Sequence, residues 1–107
     1  MKNKVGVRKD NDAKREKAVP QKLEDNARVM MTQWRFPPDS ETGWHRHALG
    51  YCIVYLTAAK HSVETRDGVV REVFLPAGES YFRKAGIEHN VINIGDNEIL
   101  MVETELK

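Results

Sequence analysis

From residue 23 onward the chain is cut into short pieces by Pro37-Pro38-Asp39-Ser40, Asp67-Gly68, Pro76-Ala77-Gly78, Gly86 and Gly95-Asp96-Asn97. Each cluster is a turn signal, because proline lacks the amide donor a central strand needs and glycine tolerates the positive φ of a tight turn. The runs between them are rich in β-branched and aromatic residues, which is strand composition. Arg28 to Phe36 alternates and puts Met30, Thr32, Trp34 and Phe36 on one face. Tyr51 to Thr57 reads as a second strand, and His61 to Arg66 with Val69 to Leu75 as a hairpin about Asp67-Gly68. Ser80 to Arg83, His89 to Ile94 and Glu98 to Leu106 complete the series, with no amphipathic helix and no internal repeat. Seven or eight short strands at this spacing predict an all-β sandwich or barrel.

A chain of 107 residues has room for one core and therefore one domain. Its first 22 residues hold eight Lys and Arg against three acidic residues, and their only large apolar side chains are Met1 and three Val. So little apolar surface does not offset the entropy of ordering. Residues 1–22 are therefore expected to be a disordered or loosely attached basic arm, and residues 23–107 the β-barrel domain. Clustered cations attract phosphate, but the arm has no aromatic residue for base stacking, and no nucleic-acid partner is expected. No apolar run approaches the roughly 18 residues of a membrane span, and the start of the chain is polar. Cys52 is the one cysteine and has no internal disulfide partner, in keeping with a reducing, cytoplasmic location. The Gly-x-Ser-x-Gly elbow, the P-loop and the dinucleotide fingerprint are all missing.

His45 and His47 are two apart, and an extended chain projects both imidazoles from one face. His89 follows Gly86 and precedes an apolar run, where a barrel would bring an opposing strand across. By spacing alone the pair is a weak signal, open to surface or hydrogen-bonded histidines as well as to a metal site.

Its surroundings sharpen it. Asp39-SETGW-His45-Arg46-His47-ALG-Tyr51-CIVYLT-Ala58 resembles the first cupin motif, Gly-x5-His-x-His-x3/4-Glu-x6-Gly. Gly78-ESYFR-Lys84-Ala85-Gly86-IE-His89-NVI-Asn93 resembles the second, Gly-x5-Pro-x-Gly-x2-His-x3-Asn, with every spacing intact. The chain thus resembles the small single-domain bacterial cupins, and within them a group of β-alanine-degradation cupins in which tyrosine also replaces the motif glutamate. The resemblance covers residue 28 to the end. It implies a small jelly-roll β-barrel, a metal held by His45, His47 and His89, and a role in small amino-acid or carboxylate catabolism.

The departures carry chemistry. Asp39, Ala58 and Lys84 stand where the motifs have Gly, Gly and Pro, mild changes in turns. Tyr51 stands where the motif has glutamate if the spacing is three residues, and Cys52 if it is four, so a carboxylate is missing in either case. Three neutral imidazoles leave a divalent ion its full charge, which favours an anionic or chelating ligand and leaves coordination positions open. Tyr51 then either donates a hydrogen bond to a bound ligand, as its expected catalytic role, or ligates as phenolate. Tyr81 and Arg83 share a strand face and are candidates for holding a substrate carboxylate. Arg46 is expected to point away from the metal, Trp44 to sit in the core, Cys52 to be a buried apolar thiol, Asn93 to orient a strand end, and His61 to be exposed.

Two classes of function follow. One is a metalloenzyme of oxygenase type using Fe(II), with zinc, nickel, manganese or copper as alternative ions, on a small anionic substrate. The other is a non-catalytic small-ligand-binding or sensor cupin. A homodimer is expected, since small barrels of this kind pair through sheet edges or exposed apolar strands.

Overall fold

The computed structural model describes residues 15–107. Nine strands form among them: β1 (Val19–Asp25), β2 (Val29–Phe36), β3 (His45–Arg46), β4 (Tyr51–Tyr55), β5 (Ala59–Thr65), β6 (Val70–Leu75), β7 (Ser80–Arg83), β8 (Glu88–Asn93) and β9 (Ile99–Leu106). They build a five-stranded sheet in the order β1-β2-β9-β4-β7 and a four-stranded sheet in the order β3-β8-β5-β6. Every pairing between named strands is antiparallel. The architecture is all-β, as the strand pattern predicts, and is the jelly roll that the cupin resemblance implies, and no helix is long and apolar enough to cross a membrane among the described residues.

Alternation sorts side chains between a shared interior and the outside. Met30, Thr32, Trp34 and Phe36 of β2 all line one cavity, as the sequence alternation requires. The larger sheet contributes Phe36, Tyr51, Ile53, Tyr55, Ile99 and Met101 to a buried core, joined by Ala59 and Val91 of the smaller sheet and by Ala18 just before β1. Phe36 and Ile99 face each other in register, each 1% exposed, and burying side chains of this size contributes roughly 1.5–3 kcal/mol apiece. Val54 and Phe82 alternate the other way and remain exposed on the outside of the same sheet.

The β5–β6 hairpin turns where Asp67-Gly68 predicts. Gly68 has φ of 88°, its amide donates to the Thr65 carbonyl at 3.0 Å, and the Val69 amide donates to the Asp67 carboxylate at 3.1 Å. Asn93 is fully buried, donates to the carbonyls of Phe36 and Asn97, and accepts from the Gly95 amide. It ties the end of β8 to the end of β2, which is the orienting role expected of it.

Two elements differ from the sequence reading. The expected boundary at Lys22/Leu23 falls inside β1, which pairs along β2 from Val19 to Asp25. All seven residues of β1 are exposed, so the apolar poverty of the segment is real, but main-chain pairing orders the strand where burial does not. Residues 1–14 of the expected arm lie outside the described residues. β3 is only two residues long, too short for a composition signal, and it exists because it pairs with β8.

Candidate metal centre and its cavity

The centre begins in the backbone. In β3 and β8, His45 lies directly opposite His89. The next turn is pinned to the same place, since the His47 amide donates to the Ile87 carbonyl at 2.8 Å and the Gly86 amide to the His47 carbonyl at 2.7 Å. Gly86 adopts φ of 102° to make that approach, a conformation that side-chain-bearing residues avoid. The two motifs, remote in sequence, thus become adjacent rungs of one ladder.

One ring nitrogen from each of His45, His47 and His89 lies within 4.8 Å of the others. The His45 Nδ1–H donates to the Gly43 carbonyl at 2.9 Å, which orients the ring and turns Nε2 toward His47. His47 turns its Nδ1 toward the Glu103 carboxylate at 3.5 Å. The Nε2 atoms of His45 and His47 therefore face each other at 3.0 Å, about the separation of two nitrogens at right angles around an ion with bonds near 2.1 Å. Burial, reinforced by the neighbouring His45, pushes His47 down to about 4, and burial, then His45 and His47, push His89 to about 3. Both rings are neutral at pH 7, the form that ligates metal. The donor set fits a divalent ion.

Tyr51, in the motif glutamate's place, is 2% exposed and stacks on His47. Burial, followed by the proximity of Tyr81 and Glu103, raises its phenol above the ordinary range, which favours the protonated hydroxyl over phenolate. Glu103 is the residue that the motif reading missed. It accepts a hydrogen bond from the Trp34 indole at 3.1 Å, and burial raises its carboxyl above the usual value. The signal was available in β9, where Glu103 shares the inward face of Met101. A carboxylate behind a ligating imidazole is a recurrent way to orient the ring and raise its basicity.

The cavity has a volume of about 520 Å³. The predicted Tyr81 and Arg83 both line it, with the Arg83 guanidinium 4.2 Å over the Tyr81 ring. Arg46 is exposed, as alternation requires, and borders the same cavity along with Arg71. Three other expectations change. His61 is 2% exposed, because it shares the inward face of β5 with Val63 and Thr65, and its Nε2 is 2.7 Å from the Tyr55 hydroxyl. Trp44 is half-buried and outside the core, with the Arg66 guanidinium 4.4 Å over its ring. Cys52 is half-buried rather than enclosed, since it alternates away from Tyr51 and Ile53.

A cupin domain from Bordetella pertussis Tohama I superposes with a TM-score of 0.83 at 46% identity, covering 87% of this chain and 96% of that one. A Klebsiella pneumoniae protein with a double-stranded β-helix domain shares the fold alone, with a TM-score of 0.70 at 16% identity over 95% of this chain and 83% of that one. No protein-family model matches the sequence. Fold and histidine geometry together define a small single-domain cupin. The beta-alanine degradation protein BauB of Pseudomonas aeruginosa is 52% identical over 93 residues, 87% of this chain and 97% of the relative. The chain belongs to the BauB family of cupins.

Proposed function

We propose that this protein is a metal-dependent cupin in which His45, His47 and His89 hold one divalent ion and the cavity receives a small anionic molecule for oxygenase-type chemistry, with Fe(II) as the working metal. The observation that carries the reading is the convergence of three imidazoles on the wall of a cavity bordered by Arg46, Arg71 and Arg83. An ion held by three protein ligands supplies Lewis acidity and open positions for substrate. The arginines draw a carboxylate toward the opening, and Arg83 has the planar, two-pronged geometry that carboxylates fit. Glu103 orients His47 from behind, and the protonated Tyr51 donates a hydrogen bond toward the bound molecule. Kinship with a protein named for β-alanine degradation supports a small carboxylate derived from an amino acid as the substrate class.

The test uses protein purified without a histidine tag. Elemental analysis is expected to give close to one ion per chain, and His89→Ala to lose it while keeping the far-ultraviolet signature of a β protein. Unchanged metal content in that variant refutes the ligand assignment. Oxygen consumption with β-alanine-derived acids then separates turnover from capture alone, and tight binding without uptake of oxygen identifies a ligand-binding module instead.

A further inference from the structure

The cavity has a second polar end. In the β5–β8 ladder Thr65 faces His89 and His61 faces Asn93, so His61 lies about 13 Å along the strands from the level of the metal centre. In β4 the same four-residue step leads from Tyr51 to Tyr55. Tyr55 and His61 are almost completely buried, and the Tyr55 hydroxyl bridges His61 Nε2 at 2.7 Å and the Tyr81 hydroxyl at 3.3 Å. All three residues line the cavity, and Ile53, Val63 and Val91 line it at the level between the two ends.

His61 Nδ1 is shut from solvent and has no hydrogen-bond partner among the described residues. A buried polar atom left unpaired is unfavourable, and native structures seldom keep one without a use for it. If the Tyr55 phenol donates to Nε2, the Nδ1 is a donor; with the bond reversed it is an acceptor. A hydroxyl satisfies both. The Arg83 guanidinium approaches this end by lying over the face of the Tyr81 ring at 4.2 Å. Arg83 pairs in register with Tyr51, toward the metal centre, and Lys60 alternates outward to lie over Phe74. Burial also holds the His61 imidazole neutral, with its pKa pushed down to about 4.

We propose that Tyr55, His61 and Tyr81 form a recognition pocket for an uncharged hydrogen-bonding group, so that the ligand is a short chain with a carboxylate head and a hydroxyl, carbonyl or amide tail. The placing of the head rests on the function proposed above; the tail pocket rests on these three side chains.

The experiment takes the full chain, loaded with zinc and labelled with nitrogen-15 in its histidines, and titrates it with straight-chain ω-hydroxy carboxylates and with carboxylates of equal length ending in methyl. At the best-fitting length the hydroxy acid is expected to bind about tenfold more tightly than its methyl partner, with the His61 ring-nitrogen resonances shifting only for the hydroxy acid. Tyr55→Phe and Tyr81→Phe, which keep their rings, are expected to erase the preference without changing affinity for the methyl-ended acid. Equal affinities across each pair, or tighter binding of the matching dicarboxylates, overturns the tail pocket and leaves the metal-bound head standing. Carboxylate binding that is unaffected by removing zinc overturns the head reading, whereas a surviving hydroxyl preference then still supports the pocket. Absence of binding by every acid overturns both.

Discussion

The ring of Tyr51 lies against the ring of His47, with centroids 3.8 Å apart and planes 19° from parallel. Tyrosine in the motif glutamate's position is therefore a support for one ring of the histidine cluster as well as a change of charge. Tyr51→Phe preserves the stack and is expected to keep the metal stoichiometry of the parent, measured by elemental analysis; loss of the ion would instead identify the phenol as a ligand. Tyr51→Glu adds a carboxylate beside the ion and is expected to weaken binding of small carboxylates by about tenfold, read by calorimetry.

Glu103 reaches His47 from the side opposite the site. Glu103→Gln keeps the volume and the contact with Trp34 while removing the charge. Its metal dissociation constant is expected to rise by about tenfold, the scale of an oriented outer partner. A titration against a chelator of known affinity checks this, and an unaltered constant would show that the carboxylate is a bystander.

Asn93 makes three hydrogen bonds with no exposure to solvent. Asn93→Ala leaves the carbonyls of Phe36 and Asn97 and the amide of Gly95 without their buried partner. Destabilisation of about 3 kcal/mol follows, to be measured by urea unfolding. A change below about 0.5 kcal/mol, the scale of surface substitutions, contradicts the role assigned to it.

Acid sensitivity has a definite sign. Burial lowers His61 from its ordinary 6.5 to about 4. Above 6.5 the ring is neutral in folded and unfolded chains alike. Between 6.5 and about 4 the unfolded chain takes up a proton that the folded one refuses, so stability falls as pH falls through that window, by on the order of 3 kcal/mol in total. In metal-free protein His47 and His89 act in the same direction. His61→Gln, which does not titrate, is expected to narrow the gap between urea midpoints at about pH 7 and about pH 4.5; an equal gap in both proteins excludes His61 as a source.

Turn chemistry and alternation made most of this fold legible. Asp67-Gly68, Pro76-Ala77-Gly78 and Gly95-Asp96-Asn97 marked real strand ends, and the inward set of β2 was readable residue by residue. β1 was not, because an exposed strand held by main-chain bonds to β2 leaves no apolar period in the sequence. The motifs named His45, His47 and His89, which the fold gathers into one cluster. Motif spacing is silent about residues on other strands. Glu103 and His61 enter the cavity through the faces that β9 and β5 turn inward, and only fixing Met101 and Val63 as interior residues would have pointed to them.

The short ladder between β3 and β8 has a consequence for the order of events during assembly. His45 and His47 emerge together, but His89 takes its place opposite His45 only after two hairpins' worth of intervening chain has folded back. Before that closure a nascent chain offers a two-coordinate, weakly retaining pair; afterwards it offers a triad. On the function proposed above, metal capture is therefore expected to follow completion of the jelly roll instead of nucleating it, since the long-range strand pairings that bring up the third imidazole form late.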